Sequence, residues 1–320
     1  PVANGFDRFL GISASLDMPP YVWLRDDRVT APPAGRVGDS PAPRLWRAGP
    51  IGADFRMEDV QPRLTRETVS FLAERGAARD RRPFFVYLAY ASPHTPTLPT
   101  EEFSATTPTP YGAFVRQLDA DVGAILAALE KHGLARDTLV VFTSDNGYAP
   151  AGDIPRHRDL GHDSSGGFRG SKSDAFEGGH RVPFIARWPG HIQPGTSGAL
   201  ISHVDMLSTF ASLTQQKLAE ADAPDSQNIL PALIEGKAGR ATLVEHGNVL
   251  ALRSGDWKYL VSGAGAGKKN QEKAKSPKKP ELYDLSKDLG ETTNVADQNP
   301  EIVAKMAKLL AEIQAKGGRR

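Results

Sequence analysis

The chain has 320 residues, of which 39 are basic and 38 acidic, giving a formal net charge of +1. This balance argues against a general nucleic-acid surface, and no apolar run approaches the roughly 18 residues that a membrane-spanning helix needs. Cysteine is absent, so no disulfide can form and cysteine usage does not indicate a compartment. A chain of this length can hold one large α/β domain, alone or with a smaller second domain.

The first third of the chain contains one clear helix and one apolar run. Residues 31–50 are rich in proline and glycine and predict an irregular loop. Residues 59–78 carry apolar side chains at helical spacing and predict a helix. The apolar run 83–90 predicts a buried strand, and the chain then leads directly into His94.

Residues 111–132 show the most regular helical pattern of the chain. Their apolar stripe consists of Phe114, Leu118, Val122, Ile125, Leu126 and Leu129. Gly133 follows at the position of a helix C-cap. The short apolar run 139–142 comes next, so this part of the chain has the strand–helix–strand order of a parallel sheet.

The end of that run carries the strongest candidate chemistry. Residues 139–147 read LVVFTSDNG, a predicted buried strand that closes in a carboxylate, a carboxamide and a glycine. Ligands of open α/β sheets bind at the carboxyl ends of strands. The oxygens of Asp145 and Asn146 suit a hard divalent cation such as calcium or magnesium. An ordinary Asn-Gly turn after a strand is the alternative interpretation.

The sequence pattern changes after about residue 236. Before that point, residues 182–188 predict a strand and residues 203–213 a helix. After it, four short strands are predicted at residues 242–246, 249–253, 257–262 and 281–285, followed by a helix at about 300–313. We therefore predict two domains, residues 1–236 and 237–320, the second being a small antiparallel sheet with one helix. The lysine-rich segment 263–280 predicts a solvated, flexible loop.

Five motifs follow one another in a characteristic order. They are Ser92-Pro93-His94-Thr95-Pro96, Thr143-Ser144-Asp145-Asn146-Gly147, Phe168-Arg169-Gly170-Ser171-Lys172, Glu177-Gly178-Gly179-His180-Arg181-Val182-Pro183 and Trp188-Pro189-Gly190. This series resembles the type I sulfatases of the alkaline phosphatase superfamily, and the ordered matches run from Gly5 to about Glu312. The resemblance implies an α/β fold, an alkaline-phosphatase-like sandwich with a mostly parallel central sheet flanked by helices. A small C-terminal antiparallel sheet with one helix completes the expected architecture.

The resemblance also implies roles for four residues. Asp145 and Asn146 match the second pair of metal ligands in the family, where the ion is usually Ca²⁺ and Mg²⁺ is a possible substitute. Lys172 matches the lysine that contacts the sulfate group. His94 matches the histidine beside the leaving-group oxygen, where it would donate a proton or contact the sulfate.

Four further residues have weaker implied roles. His162 precedes the Lys172 segment and is a candidate for lining the substrate pocket, with a purely structural role as the equal alternative. Arg169 is a candidate for clamping an anion or for bracing the loop. Glu177 and Arg181 are expected to form a structural pair that holds the Gly178-Gly179 turn.

Two features of the family have no match in these residues. Type I sulfatases oxidise the cysteine or serine of a C/S-x-P-x-R motif to formylglycine, and they use an amino-terminal aspartate pair as the first metal ligands. The sequence from Ser40 to Arg44 misses the motif because Ala42 stands at its third position. Asp26-Asp27 comes after Gly5–Gly11, a segment that resembles text following the active-site half of the sheet in sulfatases, so the metal role does not transfer to this pair. We therefore expect the chain to be the carboxyl-terminal two-thirds of a sulfatase and to be inactive alone.

The expected activity of the parent protein is hydrolysis of sulfate monoesters, sulfated carbohydrates among them. A phosphodiesterase or phosphonate hydrolase of the same superfamily is one alternative, and a noncatalytic protein that binds sulfated glycans is another. The expected partner is a small-molecule or carbohydrate sulfate ester, with no nucleic acid. The sequence leaves the oligomeric state open, and the resemblance implies a periplasmic or secreted protein.

Overall fold

A computed structural model describes residues 1–41, 45–80, 82–219, 221–262 and 279–317. The chain divides into two compact units, the first made of Pro1–Thr138 and Ala151–Asp153 and the second of Leu139–Pro150 and Ile154–Arg320. The domain boundary expected near residue 236 stays a prediction. Ala42–Arg44 and most of the lysine-rich segment, residues 263–278, lie outside the described residues.

The first unit contains short strands and three α-helices. Its strands are β1 (Leu10–Ile12), β2 (Trp23–Arg25), β3 (Arg28–Val29), β4 (Pro33–Val37) and β5 (Gly49–Gly52). Its helices are α1 (Val60–Ala77), α2 (Glu101–Ser104) and α3 (Pro110–Lys131). Strands β1, β2 and β3 form one antiparallel sheet, and β4 and β5 form another pair. Leu16, Tyr21, Trp23, Phe55, Met57, Val60 and Leu98 make up a buried core.

The two long helices confirm the periodicity of the sequence. Helix α3 begins with Pro110 after the N-cap Thr109, whose hydroxyl accepts a hydrogen bond from the Gly112 amide at 3.1 Å. Gly133 has φ +67°, the left-handed conformation that the predicted C-cap requires. Phe114 and Leu129, the two ends of the predicted stripe, are buried.

The prediction of a strand at residues 83–90 was wrong. The structure assigns no strand there, and Phe85 and Tyr87 are 58% and 76% exposed. A strand needs a neighbour to complete its backbone ladder, and no described strand pairs with this run. An apolar run of this length indicates a buried segment but does not supply its partner.

The second unit contains the remaining elements. Its strands are β6 (Val140–Thr143), β7 (Phe184–Arg187), β8 (Thr242–His246), β9 (Leu250–Ser254), β10 (Trp257–Leu260) and β11 (Glu281–Asp284). Its helices are α4 (Ile154–Asp159), α5 (Glu177–His180), α6 (Met206–Leu213), α7 (Leu230–Ile234) and α8 (Pro300–Ala315). Among the described residues, no helix of the chain is long and apolar enough to cross a membrane.

Strand β6 does not pair as its sequence indicated. Its described partner is β7, which runs antiparallel, with Val140 opposite Arg187 and Thr143 opposite Phe184. For this pair the parallel arrangement expected from the strand–helix–strand order was wrong. The chain from Thr143 to Phe184 turns back in loops and short helices, so it returns alongside β6 in the opposite direction.

The carboxyl-terminal sheet confirms the predicted change of architecture. Its strand order is β11-β10-β9-β8, and all three pairings are antiparallel. Strand alternation gives the sheet two faces, and each of them packs a cluster of apolar side chains. One face packs on α8 through Leu252, Tyr259, Leu282, Met306 and Leu310. The other buries Ala175 together with Val249, Ala251, Leu260, Tyr283 and Leu285. The second face therefore supports the loop that contains Lys172.

Candidate active site

The polar turn after β6 is held by its own hydrogen bonds. The Thr143 hydroxyl donates to the carbonyl of Pro183 and also lies 2.8 Å from His203 Nε2. The Ser144 hydroxyl donates to the Asn146 carbonyl at 3.1 Å, and Asn146 Nδ2 donates to the Gly147 carbonyl at 2.9 Å. The amide nitrogen of Asn146 is thus used within the turn, while its side-chain oxygen is the atom suited to a ligand.

Gly147 joins this turn to the Gly178-Gly179 segment. Its amide donates to the Gly179 carbonyl at 3.0 Å. A Cβ at position 147 would overlap the Gly178 carbonyl, and a Cβ at position 178 would overlap the carbonyls of Arg169 and Gly170. Only glycine allows these backbones to approach so closely. Glycines from separate sequence motifs therefore meet in one backbone contact.

Lys172 lies beside the same turn. Its amide donates to the Tyr148 carbonyl at 2.9 Å, one residue beyond Gly147. Asp174 caps the local bend, since its carboxylate accepts from the Ser171 amide at 2.9 Å. The side chains of Lys172 and Asp145 make no hydrogen bond or ion pair within the described residues. A cationic group and an anionic group are thus available for a ligand on neighbouring segments.

The sequence reasoning missed Tyr148, whose carbonyl accepts from the Lys172 amide, and the histidine that contacts it, His157. The Tyr148 hydroxyl is 2.8 Å from Nδ1 of His157, which is 4% exposed. His162 is exposed, and its ring meets the His157 ring edge-on at 5.8 Å between centroids. The position of Tyr148 directly after the Asp145-Asn146-Gly147 motif was the one signal that pointed to it. Substrate binding by His162 stays a prediction.

Arg169 braces the loop against the carboxyl-terminal sheet. Its guanidinium donates to the Tyr283 hydroxyl and to the Glu291 carbonyl, both at 2.9 Å, and lies 3.8 Å from the centre of the Phe176 ring. These contacts correspond to the bracing role that the sequence offered for this residue. Anion binding by Arg169 stays a prediction.

Glu177 is buried at the centre of an ion network. Its carboxylate lies 2.7 Å from Arg181 Nε, the pairing that the sequence predicted. It also lies 2.9 Å from Lys258 Nζ and 3.2 Å from Arg253 Nη1, two partners that the sequence did not reveal. Burial opposes ionisation of Glu177, but the charges of Lys258, Arg181 and Arg253 hold its pKa below the ordinary value.

Lys258 is fully buried on the sheet side of this network. Its ammonium lies 2.9 Å from Glu245 and 3.6 Å from Glu291 in addition to Glu177. Burial alone would lower the pKa of Lys258, but the three carboxylates raise it. Burial raises the pKa of Glu291 to about 7, against the opposing effect of Lys258. Below that pH Glu291 is protonated, and two carboxylates remain to balance the ammonium.

His94 belongs to the first unit, whereas the other five predicted site residues belong to the second. Its side chain is exposed, and Nδ1 lies 2.5 Å from the Thr95 carbonyl oxygen. A carbonyl only accepts hydrogen bonds, so Nδ1 carries a hydrogen. The remaining nitrogen, Nε2, then donates a proton only from the imidazolium form.

Asp145 and Asn146 fit a hard cation by the chemistry of their oxygens, but they do not complete a site. Calcium takes about six to eight oxygen ligands. Within the described residues, no group of three or more His, Asp or Glu side chains gathers to hold a metal ion. The pair would therefore act as part of a larger set of ligands.

The chain was compared with known proteins. The model of the sulfatase family matches residues 2–216. The N-acetylgalactosamine-6-O-sulfatase of Bacteroides thetaiotaomicron is 31% identical over an alignment of 356 residues. The alignment covers 98% of this chain and 69% of the relative. Human arylsulfatase A is 32% identical over 337 residues, which cover 97% of this chain and 64% of the relative. The chain thus spans about two-thirds of the length of these relatives.

Solved structures agree with this relationship. A Bacteroides thetaiotaomicron protein, solved in work on the metabolism of multiple glycosaminoglycans, superposes with a TM-score of 0.84 at 31% identity. The match covers 97% of this chain and 73% of that protein. Ps i-CgsB, solved in complex with k-i-k-neocarrahexaose, has a TM-score of 0.71 at 24% identity over 98% of this chain and 67% of its own, which supports the fold alone. The chain therefore belongs to the sulfatase family and has the alkaline-phosphatase-like fold expected from its motifs.

Proposed function

We propose that the full-length protein is a sulfuric ester hydrolase that cleaves sulfate monoesters. The observation that carries this proposal is the contact between the Asp145-Asn146 turn and the Lys172 loop, which we define as residues 168–181. It is made through the Gly147–Gly179 and Tyr148–Lys172 backbone hydrogen bonds. A sulfate ester carries negative oxygens, so its cleavage depends mainly on fixed positive charge and on positioning.

The residues of this chain then divide the work. Lys172 contacts the sulfate oxygens as a point charge, in the bound substrate and in the transition state. His94 in its imidazolium form donates a proton to the departing alcohol oxygen. Asp145 and Asn146 hold a divalent cation, calcium or in its place magnesium. When bound, the ion would neutralise charge on the sulfate oxygens.

We propose that the nucleophile of the full-length protein is supplied by residues other than these 320. The C/S-x-P-x-R motif, whose cysteine or serine the family converts to formylglycine, does not occur in this sequence. We propose a formylglycine nucleophile in the full-length protein. Sequencing the reading frame upstream of Pro1 tests this directly, because a frame without the motif would favour a noncatalytic protein that binds sulfated glycans.

We propose a sulfated carbohydrate as the natural substrate. The support is the naming of one relative as an N-acetylgalactosamine-6-O-sulfatase and the link of a solved relative to glycosaminoglycan metabolism. Hydrolysis of a 6-sulfated N-acetylgalactosamine by the full-length protein, measured as release of inorganic sulfate, would test the substrate class. A periplasmic or secreted location is proposed on the family relationship alone.

The reaction class is tested by comparing two substrates. The full-length protein should hydrolyse an aryl sulfate faster than an aryl phosphodiester with the same leaving group. Lys172→Ala should reduce kcat/KM for the sulfate by about 10²–10³-fold, the loss typical of removing one charge-stabilising donor. Lys308→Ala, which removes an exposed lysine of α8, serves as the control. A faster reaction on the phosphodiester would favour the phosphodiesterase alternative.

A further inference from the structure

The network around Lys258 connects the carboxyl-terminal sheet to the Lys172 loop. Strand pairing places Lys258 directly opposite Arg253 on one side and Tyr283 on the other. These side chains therefore stand on the sheet face that buries Ala175. Glu245 opposes Ala251 and stands on the same face. The sheet thus presents two cations and a carboxylate to the loop.

Glu177 forms ion pairs with these cations, and it directly precedes the Gly178-Gly179 segment. Its carboxylate contacts Lys258 and Arg253, and its amide donates to Glu291 at 2.7 Å. The next two residues are Gly178 and Gly179, and Gly179 accepts the hydrogen bond from Gly147. A displacement of Glu177 would therefore pass directly into the contact between the loop and the Asp145-Asn146 turn.

A second anchor lies between Lys172 and Glu177. Asn248, in the turn between β8 and β9, donates its amide to the Ser173 carbonyl at 2.8 Å. Its side-chain oxygen accepts from the Ala175 amide at 3.2 Å. Two anchors therefore follow Lys172 closely in the chain, one at residues 173–175 and the other at Glu177. Both anchors belong to the carboxyl-terminal sheet.

Stability alone does not explain a buried ion network at this place. Removing charges from water has a large desolvation penalty, and well-packed apolar residues often stabilise a core at least as well. Lys258 is fully buried, as are Glu177 and Glu291. Such a network does fix one geometry, because each ammonium and carboxylate needs its partners at a defined distance and angle.

We propose that Lys258 is a positioning residue for the candidate active site, which holds Lys172 in place through Glu177. The inference rests on the proposed function in one respect, namely that Lys172 contacts the sulfate group. It assigns to the carboxyl-terminal sheet a part in binding the sulfate, although no residue of that sheet is proposed to touch the substrate.

The test uses the full-length protein and a charge-balanced variant. Lys258→Met alone would leave buried carboxylates unpaired and could unfold the protein. The pair Lys258→Met with Glu245→Gln removes one cation and one carboxylate together, while Glu177 keeps Arg181 and Arg253. Arg253→Gln is a milder second variant, since its contact to Glu177 is longer, at 3.2 Å. Lys308→Met on α8, where the side chain is 80% exposed, is the control for loss of a lysine.

Each variant is made in the native background and in the Lys172→Ala background, and kcat and KM are measured on an aryl sulfate. We expect the charge-balanced pair to lose about 10–100-fold in kcat/KM in the native background, a loss of the size seen when the hydrogen-bond partner of a metal ligand is replaced. Both KM and kcat should change, as we also expect for Lys172→Ala. In the Lys172→Ala background the same pair should lose less than about twofold, because its effect acts through Lys172. Arg253→Gln should follow the same pattern with a smaller loss.

Three results would overturn the inference. An equal loss in both backgrounds would show that Lys258 acts on the folded protein in general. Unchanged kcat/KM per folded molecule, with the folded fraction measured by circular dichroism, would show that the network has no part in the site. Full activity of Lys172→Ala would remove the assignment of Lys172 itself, and this inference with it, so a failure of the proposed function is distinguished from a failure of the role of Lys258.

Discussion

Lys172 and Glu177 lie in the same loop but in opposite electrostatic surroundings. The ammonium of Lys172 has no protein partner within the described residues, whereas the carboxylate of Glu177 meets three cations. A charge without a protein partner can bind a ligand, while a buried charge with several partners fixes structure. The contrast explains why only Lys172 is proposed to touch the substrate, although both residues belong to motifs that resemble those of the family.

His94 gives a prediction that depends on the leaving group. A general acid is typically worth about 10²–10⁴-fold, and a leaving group as acidic as nitrophenol needs little of it. His94→Ala should therefore slow hydrolysis of a sulfated sugar far more than that of nitrophenyl sulfate, measured as kcat on the full-length protein. His132→Ala, at the end of α3, is a matched control. Equal losses on both substrates would mean that His94 binds the sulfate and donates no proton.

Glu291 gives a prediction about pH and stability. Its pKa rises from 4.5 to about 7 on folding, chiefly because it is buried. The folded protein thus holds this proton more tightly, so the contribution is present at low pH and is lost as pH rises from about 4.5 to 7. Glu291→Gln resembles the protonated form and keeps an oxygen for the Glu177 amide. The variant should therefore lose less stability than the native protein between pH 5 and pH 8.

The measurement is thermal unfolding of the full-length protein at both pH values. A free-energy difference of about 1 kcal/mol shifts the unfolding temperature by about 2–4 °C in a protein of about 150–250 residues, and by less in a larger one. Glu102→Gln, an exposed residue of α2, controls for the loss of one carboxylate. If Glu291→Gln loses as much stability as the native protein over this range, the titration of Glu291 does not contribute.

At the scale of elements, the site is a meeting of loops fixed by short strands. The Asp145-Asn146 turn follows strand β6, and β7 pairs with β6 in the antiparallel direction. The Lys172 loop packs on the face of the carboxyl-terminal sheet that buries Ala175. Because the elements are short, their positions depend on backbone contacts at glycine and on the ion network around Glu177.

Gly147 tests this dependence. A methyl group at position 147 overlaps the Gly178 carbonyl, so Gly147→Ala must push the turn and the loop apart. We expect a loss of more than about 1 kcal/mol in stability and a fall in kcat/KM on an aryl sulfate. Gly123→Ala on the exposed side of α3 is the matched control, since a Cβ there meets no atom within 4 Å. That change should be neutral or stabilising, because alanine favours a helix over glycine by up to about 1 kcal/mol. Native-like activity of Gly147→Ala would contradict the proposed contact.

At the scale of the whole molecule, the chain is a member of the sulfatase family that spans about two-thirds of the length of its relatives. Its candidate site contains a lysine that we propose for the sulfate and two residues that we propose for a metal, and the C/S-x-P-x-R motif does not occur in this sequence. The activity is therefore a property to be measured on the full-length protein.

Metal binding should depend on the complete protein. As proposed ligands, Asp145 and Asn146 would supply two of the about six to eight oxygens that calcium takes. We expect calorimetry to show much tighter calcium binding by the full-length protein than by these 320 residues. Asp145→Ala should weaken binding to the full-length protein, while Asp119→Ala, an exposed residue of α3, should not. Tight binding of calcium by the 320-residue chain would contradict this expectation.

The sequence by itself determined the family, the helices α1, α3, α6 and α8, and the antiparallel character of the carboxyl-terminal sheet. These features are local: apolar spacing fixes which side of a helix is buried, and short motifs keep their order along the chain. The failures at residues 83–90 and at β6 have a common cause, since strand pairing is decided by distant partners that the strand itself does not encode. The Lys258–Glu177 pair spans 81 residues and the Arg169–Tyr283 pair 114. Only the tertiary structure brings such groups together, because a buried charge is tolerated only where the fold supplies its counter-charge.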